Sequence, residues 1–246
     1  MSSDYLGQFE IKTIFQLPAV LGYRLDFTNS SLYMMIATLT ISSFLLIGSR
    51  RFVLVPGYLQ AILENLYFFC FNALEQRIGN NAHKHVPMIM TVFLFILGSN
   101  LLGMLTFLPM SFTVTSHISV TLVLSIFVFA YSFIVLVMKR KNHIASFFVP
   151  SSVPRLLAPL IFVMELFSYC IRPFSLSIRL SANMVAGHVM MLVVAHLVHS
   201  MPVTIFPFGF LFMMLLFVFE VFISCLQAYI FMTLSTVYLA DAYEEH

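Results

Sequence analysis

Two rows of polar residues stand in otherwise apolar sequence near the C-terminal end of this chain. Glu165, Arg172 and Arg179 are spaced by seven and seven within Ile161–Gly187, a stretch long enough to cross a bilayer. Helix positions seven apart share a face, so the three form one charged stripe, which Asn183 extends one turn on. His188 follows Arg179 by nine residues and falls on roughly the opposite face. The second row is Glu220, Gln227 and Tyr238, spaced by seven and eleven, with Ser224 and Ser235 beside it. A charge at the bilayer centre costs at least about 2.5 kcal/mol, so such residues need a partner, a wet cavity or a task. Two facing rows of this kind would line a path for a proton or another ion.

Each residue also has a plainer reading. Arg172 either snorkels to an interface or pairs with Glu165. Asn183 and Gln227 equally suit interhelical hydrogen bonding. His196 and His199 lie near a helix end, where an interfacial histidine is ordinary. Arg179 is harder to explain structurally, because no acid lies three or four residues away and a guanidinium cannot lose its proton. Glu220 is isolated between LFMMLLFVF and VFISCL, where a carboxyl that takes up and releases a proton suits a relay and not a scaffold. No metal site and no cofactor are expected.

The composition dictates the elements that position these groups. Of 246 residues, 61% are hydrophobic and 9% charged, and the mean hydropathy is +0.99. Soluble domains carry about 25% charged residues, so the chain reads as an all-α polytopic membrane protein. Its formal net charge of +2 is too small to imply a nucleic-acid partner. Cys70, Cys170 and Cys225 sit in apolar runs at unrelated spacings and read as buried free thiols. The N-terminus has no short apolar core and is not a secretory signal.

About three ordinary spans are expected: Leu32–Gly48, Val86–Leu108 and Ile118–Met138. Asn100 and Gly103 in the second point to close helix contact or a polar lining. Tyr58–Ile78 mixes apolar and polar positions and reads as an amphipathic helix on the membrane surface, or else as a polar-faced span inside the bundle. Residues 1–30 form a segment outside the bilayer, and 31–246 a single transmembrane domain. Within it, 160–239 make a hairpin of two long helices, whose length beyond the roughly 20 residues of a span calls for steep tilt or breaks. Pro173 is one break point. Arg50–Arg51, Arg77–Lys84 and Lys139–Lys141 mark one common side, cytoplasm or matrix, by the positive-inside rule. Both termini are expected on the other side.

IRPFSLSIRLSANMVAGH resembles the signature of subunit a of F-type ATP synthase, the stator of the membrane Fo sector. NLLGMLTFLPMSFTVTSH is similar to that family's third-to-fourth helix region, and LQAYIFMTLSTVYLADA to its C-terminal helix. The resemblance runs from about residue 55 on. Val114 departs from a usual proline, and Ser181 stands where several relatives have Thr or Phe. The resemblance implies a subunit that translocates protons and is no enzyme on its own. Arg179 would face the carboxylates of a c-ring and separate two aqueous half-channels. Asn183, His188, Glu220, Gln227 and Tyr238 would line the uptake side, and Glu165 the exit side. Arg172, Ser224 and Ser235 are secondary. The implied partners are the c-ring, peripheral-stalk and other membrane-sector subunits, the lipid bilayer and protons. The order His188 then Glu220 resembles mitochondrial members, which implies the mitochondrial inner membrane, with the bacterial plasma membrane as alternative.

Other readings fit less well. The eight histidines include no pair at the spacing that holds haem in a single helix of a respiratory subunit. A secondary transporter would show related halves, and a membrane anchor would need neither Arg179 nor Glu220. Another proton- or ion-conducting subunit of a respiratory or transporter complex is the remaining alternative. The chain has no phosphate-binding loop or nucleophilic constellation, so ATP chemistry must reside on partners.

Overall fold

The computed structural model describes residues 13–15, 27–50, 53–104, 114–140, 157–202 and 204–243. Apart from one short strand pair the described residues are overwhelmingly helical, as backbone polar groups in lipid must be satisfied within their own segment. The strands β1 (Thr13–Phe15) and β2 (Phe27–Thr28) pair antiparallel, a feature the sequence reading did not anticipate. Most of the expected N-terminal segment lies outside the described residues, as do most of the connector before Pro159, the last four residues of the expected second span and Pro109–Thr113 of the loop after it.

Six helices follow: α1 (Asn29–Ser49), α2 (Tyr58–Ile78), α3 (Val86–Met104), α4 (Ile118–Arg140), α5 (Ala158–His199) and α6 (Phe206–Asp241). All except α2 are long and apolar enough to cross a membrane. Local chemistry sets their ends. Thr28 caps α1 by accepting from the Ser31 amide at 3.4 Å. Gly79 ends α2 at φ 62°, a conformation that only glycine adopts without strain. Prolines at the starts of α5 and α6 occupy positions where a missing N–H costs nothing. Helix α5 runs through Pro173 to a length of 42 residues, and α6 has 36.

Helix α3 packs along α6, α4 along α5, and α5 along α6. Their shared core includes Ile89, Ile96, Val128, Leu176, Leu180, Phe231 and Met232, while α2 joins it through Cys70 and Leu74. Large apolar side chains cover the outer faces of α5 and α6, including Phe167, Phe208, Leu215 and Phe222. All three cysteines are free, but only Cys70 is buried; Cys170 and Cys225 point outward, contrary to the expectation of buried thiols. In a membrane helix an apolar run has an outer face as well as an inner one, so apolar sequence does not imply burial.

His85 joins three elements at one end of the bundle. Its Nδ1 lies 2.8 Å from the Tyr131 hydroxyl on α4, and its Nε2 2.7 Å from the Tyr243 hydroxyl just past α6. The Lys139 ammonium sits 4.7 Å from the centre of the Tyr243 ring. The end of α6 therefore lies with Lys84 and Lys139, not opposite them. This corrects the expectation that both termini face away from the positive residues: five antiparallel long helices begin and finish at opposite ends.

Burial, then the Lys139 and Lys84 charges, lowers the His85 pKa below its ordinary value. The folded state thus holds His85 neutral, and the unfolded chain binds more protons just below the ordinary imidazole pKa of about 6.5. Stability that is present above that range is lost as the pH falls through it. Thermal unfolding midpoints measured from pH 8 to pH 5 are expected to drop on the acid side, and His85→Gln should flatten that dependence.

Candidate functional site

The polar residues of α5 and α6 fall into two groups along an antiparallel pair. At one end, Arg172 Nη1 lies 2.6 Å from Asp241 Oδ2, while Glu165 Oε1 is 3.9 Å from Nη2. The same guanidinium stands 5.3 Å from the Tyr169 ring centre and 5.7 Å from that of Tyr238. Both readings offered for Arg172 are thus incomplete: its close partner is Asp241 across the helix pair, and Glu165 is a more distant second. Tyr238, expected among the uptake-side residues, is brought to this group instead.

Further along, Asn183 Nδ2 donates to Gln227 Oε1 at 3.0 Å. One turn beyond, the Glu220 carboxyl packs against Gly187: a Cβ on that glycine would meet Glu220 Oε1 at 2.6 Å. His188 is buried on α5 next in sequence. From α3, Asn100 Nδ2 reaches the Ser224 carbonyl at 3.4 Å. Glu220, Ser224 and Gln227 lie on one face of α6 and are buried. Glu220 Oε1, Ser224 Oγ, Gln227 Nε2 and Asn100 Oδ1 have no protein partner among the described residues. Buried polar atoms are normally satisfied, and a row of them between helices is a natural lodging for water. Ser235, by contrast, is satisfied within its own helix by the Phe231 carbonyl at 2.7 Å.

Between the two groups, apolar core residues stand beside the buried hydroxyls of Ser235 and Thr236, each bonded to a carbonyl of its own helix, and the Thr233 hydroxyl, which has no protein partner among the described residues. Leu176 and Leu180 on α5, and Phe231 and Met232 on α6, are almost fully buried in the common core. Arg179 lies at this level of α5, at the rim of the helix pair. It is exposed and makes no hydrogen bond or ion pair with the described residues. One free guanidinium on a lipid-like surface is the arrangement of a group awaiting an anion on another molecule.

Sequence reading missed Asp241, which looked like a tail residue, and Gly187, whose role depends on a carboxyl 33 residues away. It flagged Asn100 as a sign of close helix contact or of a polar lining, without naming a partner.

Comparison with known proteins agrees with this architecture. The family profile described as "ATP synthase A chain" matches residues 31–240. A protein named ATP synthase subunit a from Wolbachia sp. subsp. Brugia malayi (strain TRS) is 46% identical over 242 residues, covering 98% of this chain and 99% of its own length. Its namesake from Ehrlichia canis (strain Jake) is 42% identical over 246 residues, the full length of both chains. The namesake from Anaplasma marginale (strain St. Maries) is 42% identical over 243 residues, covering 98% and 99%. These are bacteria, so the mitochondrial expectation drawn from His188 and Glu220 finds no support, and the bacterial plasma membrane is favoured. The chain belongs to the ATP synthase subunit a family, as a membrane subunit of that complex and not an enzyme by itself.

Proposed function

We propose that this chain is the proton-translocating stator of an F-type ATP synthase in a bacterial plasma membrane, and that Arg179 is its essential residue. The observation that carries the reading is the exposed guanidinium of Arg179, without a bonded partner among the described residues, at a level between two polar groups. Protons enter through the group of Asn183, His188, Glu220 and Gln227, with Ser224 and Asn100 completing its lining. They neutralise a carboxylate on the rotating c-ring, travel round in contact with lipid and leave by the group of Glu165, Arg172, Tyr238 and Asp241. A fixed cation favours the ionised carboxylate facing it, and an apolar surround favours the neutral one, so position alone couples protonation to rotation. The side chains of Leu176, Leu180, Phe231 and Met232 offer a proton no acceptor, the nearby Ser235 and Thr236 hydroxyls are engaged within their own helix, and Arg179 repels a proton on the outer side; together they oppose a short circuit between the two groups.

In this reading α1, α3 and α4 span the bilayer directly, α2 lies along its surface and α5 and α6 cross at a steep tilt. Peripheral-stalk and other membrane-sector subunits hold the chain against the c-ring. The test is ATP-driven proton pumping in vesicles carrying Arg179→Ala beside Arg172→Ala, normalised to assembled complex; pumping at the parental rate by Arg179→Ala overturns the proposal.

A further inference from the structure

We infer that a pair of serine hydroxyls on the back of α5, Ser177 and Ser181, sets the rotation of that helix and so aims Arg179 outward. The inference rests on the proposed role of Arg179. Ser181 Oγ donates to the Ser116 carbonyl at 2.6 Å, in the short 3-10 turn (Val114–Ser116) that leads into α4. Ser177 Oγ lies 3.0 Å from Thr121 Oγ1 in the first turn of α4, and 3.5 Å from the Ile118 carbonyl. Ser116, Thr121, Ser177 and Ser181 are all buried.

The angular arithmetic gives these bonds their meaning. Ser177 and Ser181 are one turn apart and so share a face. Arg179 lies two residues from each, about 200° round the helix from either, and therefore opposite both. Apolar packing alone defines this rotation poorly, because Leu176 and Leu180 face the core while Ile178 faces outward with little difference in size. The hydroxyl bonds are directional, and turning α5 by one residue position, about 100°, breaks both. Serine hydroxyls in helices commonly bond back to their own backbone, as Ser132 does to Val128 at 3.0 Å; these two instead reach another element. Both contacts fall on the α4 side of α5, away from either polar group of the candidate path. Ser177 and Ser181 are thus positioning residues that no proton needs to touch.

The test uses the whole complex in its own membranes, carrying Ser177→Ala and Ser181→Ala singly and together, with Ser181→Thr as the conservative variant and Arg179→Ala as reference. The readouts are protons pumped per ATP hydrolysed and the amount of assembled complex. Loss of two interhelical hydrogen bonds of ordinary membrane strength shifts a rotational equilibrium by roughly five- to tenfold. The double alanine variant is expected to assemble and to lose a comparable factor in coupling, while Ser181→Thr, which keeps the hydroxyl, stays near the parent. A purely structural role would lower the amount of complex and leave the ratio unchanged. Equal coupling in the double alanine variant and the parent overturns the inference, and so does failure of both single alanine variants to accumulate intact complex. If Arg179→Ala itself pumps normally, it is the proposed function that has failed, whatever the serine variants do.

Discussion

Membranes carrying Arg179→Ala assemble the complex and do not pump protons when ATP is added. Assembly survives because the guanidinium touches no described partner, so its removal breaks no hydrogen bond and no ion pair. Removal also relieves the chain of a charge that costs about 2.5 kcal/mol or more to hold in hydrocarbon. Pumping fails for an electrostatic reason. A cation about 4 Å from a carboxylate is worth about 4 kcal/mol at an effective dielectric constant of 20. Divided by 1.36 kcal/mol per decade, that is about a thousandfold in the ionisation of the facing carboxylate. Without it the ring carboxylate stays protonated as it passes, and the proton it carries is not released to the half-channel ahead of it, which in ATP-driven pumping is the Glu220 group. Arg172→Ala should behave differently. It removes a half-exposed tie to Asp241 and Glu165, worth about 1 kcal/mol or less. That variant is expected to pump at a reduced rate and to lose a few degrees of thermal stability. Vesicle acidification and immunoblotting of the intact complex separate the two outcomes. A parental rate in Arg179→Ala would make it an incidental surface cation.

The contrast between these arginines marks how far sequence reasoning reaches. Their spacing of seven placed Arg172, Arg179 and Asn183 on one stripe, and an ideal helix does bring them within about 40° of one another. Yet Arg172 and Asn183 bond to α6 while Arg179 stays exposed and bonds to none of the described residues. The stripe runs along the rim of the interface, where a long side chain goes either way and only the neighbouring helix decides. Element limits were more legible. The expected bounds of α2, Tyr58–Ile78, set by Pro56 before it and by the end of its apolar spacing, are those observed, with Gly57 and Gly79 as its caps. The prolines that open α5 and α6 were equally readable. What sequence could not supply were pairings between distant positions: Asp241 with Arg172, Gly187 with Glu220, Ser181 with the Ser116 carbonyl. A glycine, a serine and a terminal aspartate have innocent local roles, and nothing in their own neighbourhood shows that another helix has claimed them.

Glu220→Gln is expected to cut proton flux through the membrane sector by about a hundredfold, the lower end of what a positioned proton-transfer group contributes. The amide keeps the shape and the burial of the carboxyl but cannot pick up and release a proton, so assembly should be unchanged. Gly187 gives a second handle on the same group. A Cβ there would lie 2.6 Å from Glu220 Oε1, 3.0 Å from Cδ and 3.1 Å from Cγ, so Gly187→Ala must push the carboxyl aside. The far end of a glutamate moves readily, which makes the cost to stability small and the cost to function large, because the displaced carboxyl no longer lines up with Ser224 and Gln227. Gly187→Ala alone should therefore lower flux several-fold. Shortening the acid by one methylene, Glu220→Asp, leaves it short of its place and should also lower flux. Combined, the two changes compensate, since the shorter acid fits beside the new methyl group. The double variant is expected to conduct better than either single one, a non-additivity that reports direct contact between positions 187 and 220. Passive proton conductance of membranes stripped of the catalytic sector measures all four variants alike. If Gly187→Ala and Glu220→Asp simply multiply their losses, the glycine does not make room for the acid, and the uptake path must be sought elsewhere on α6.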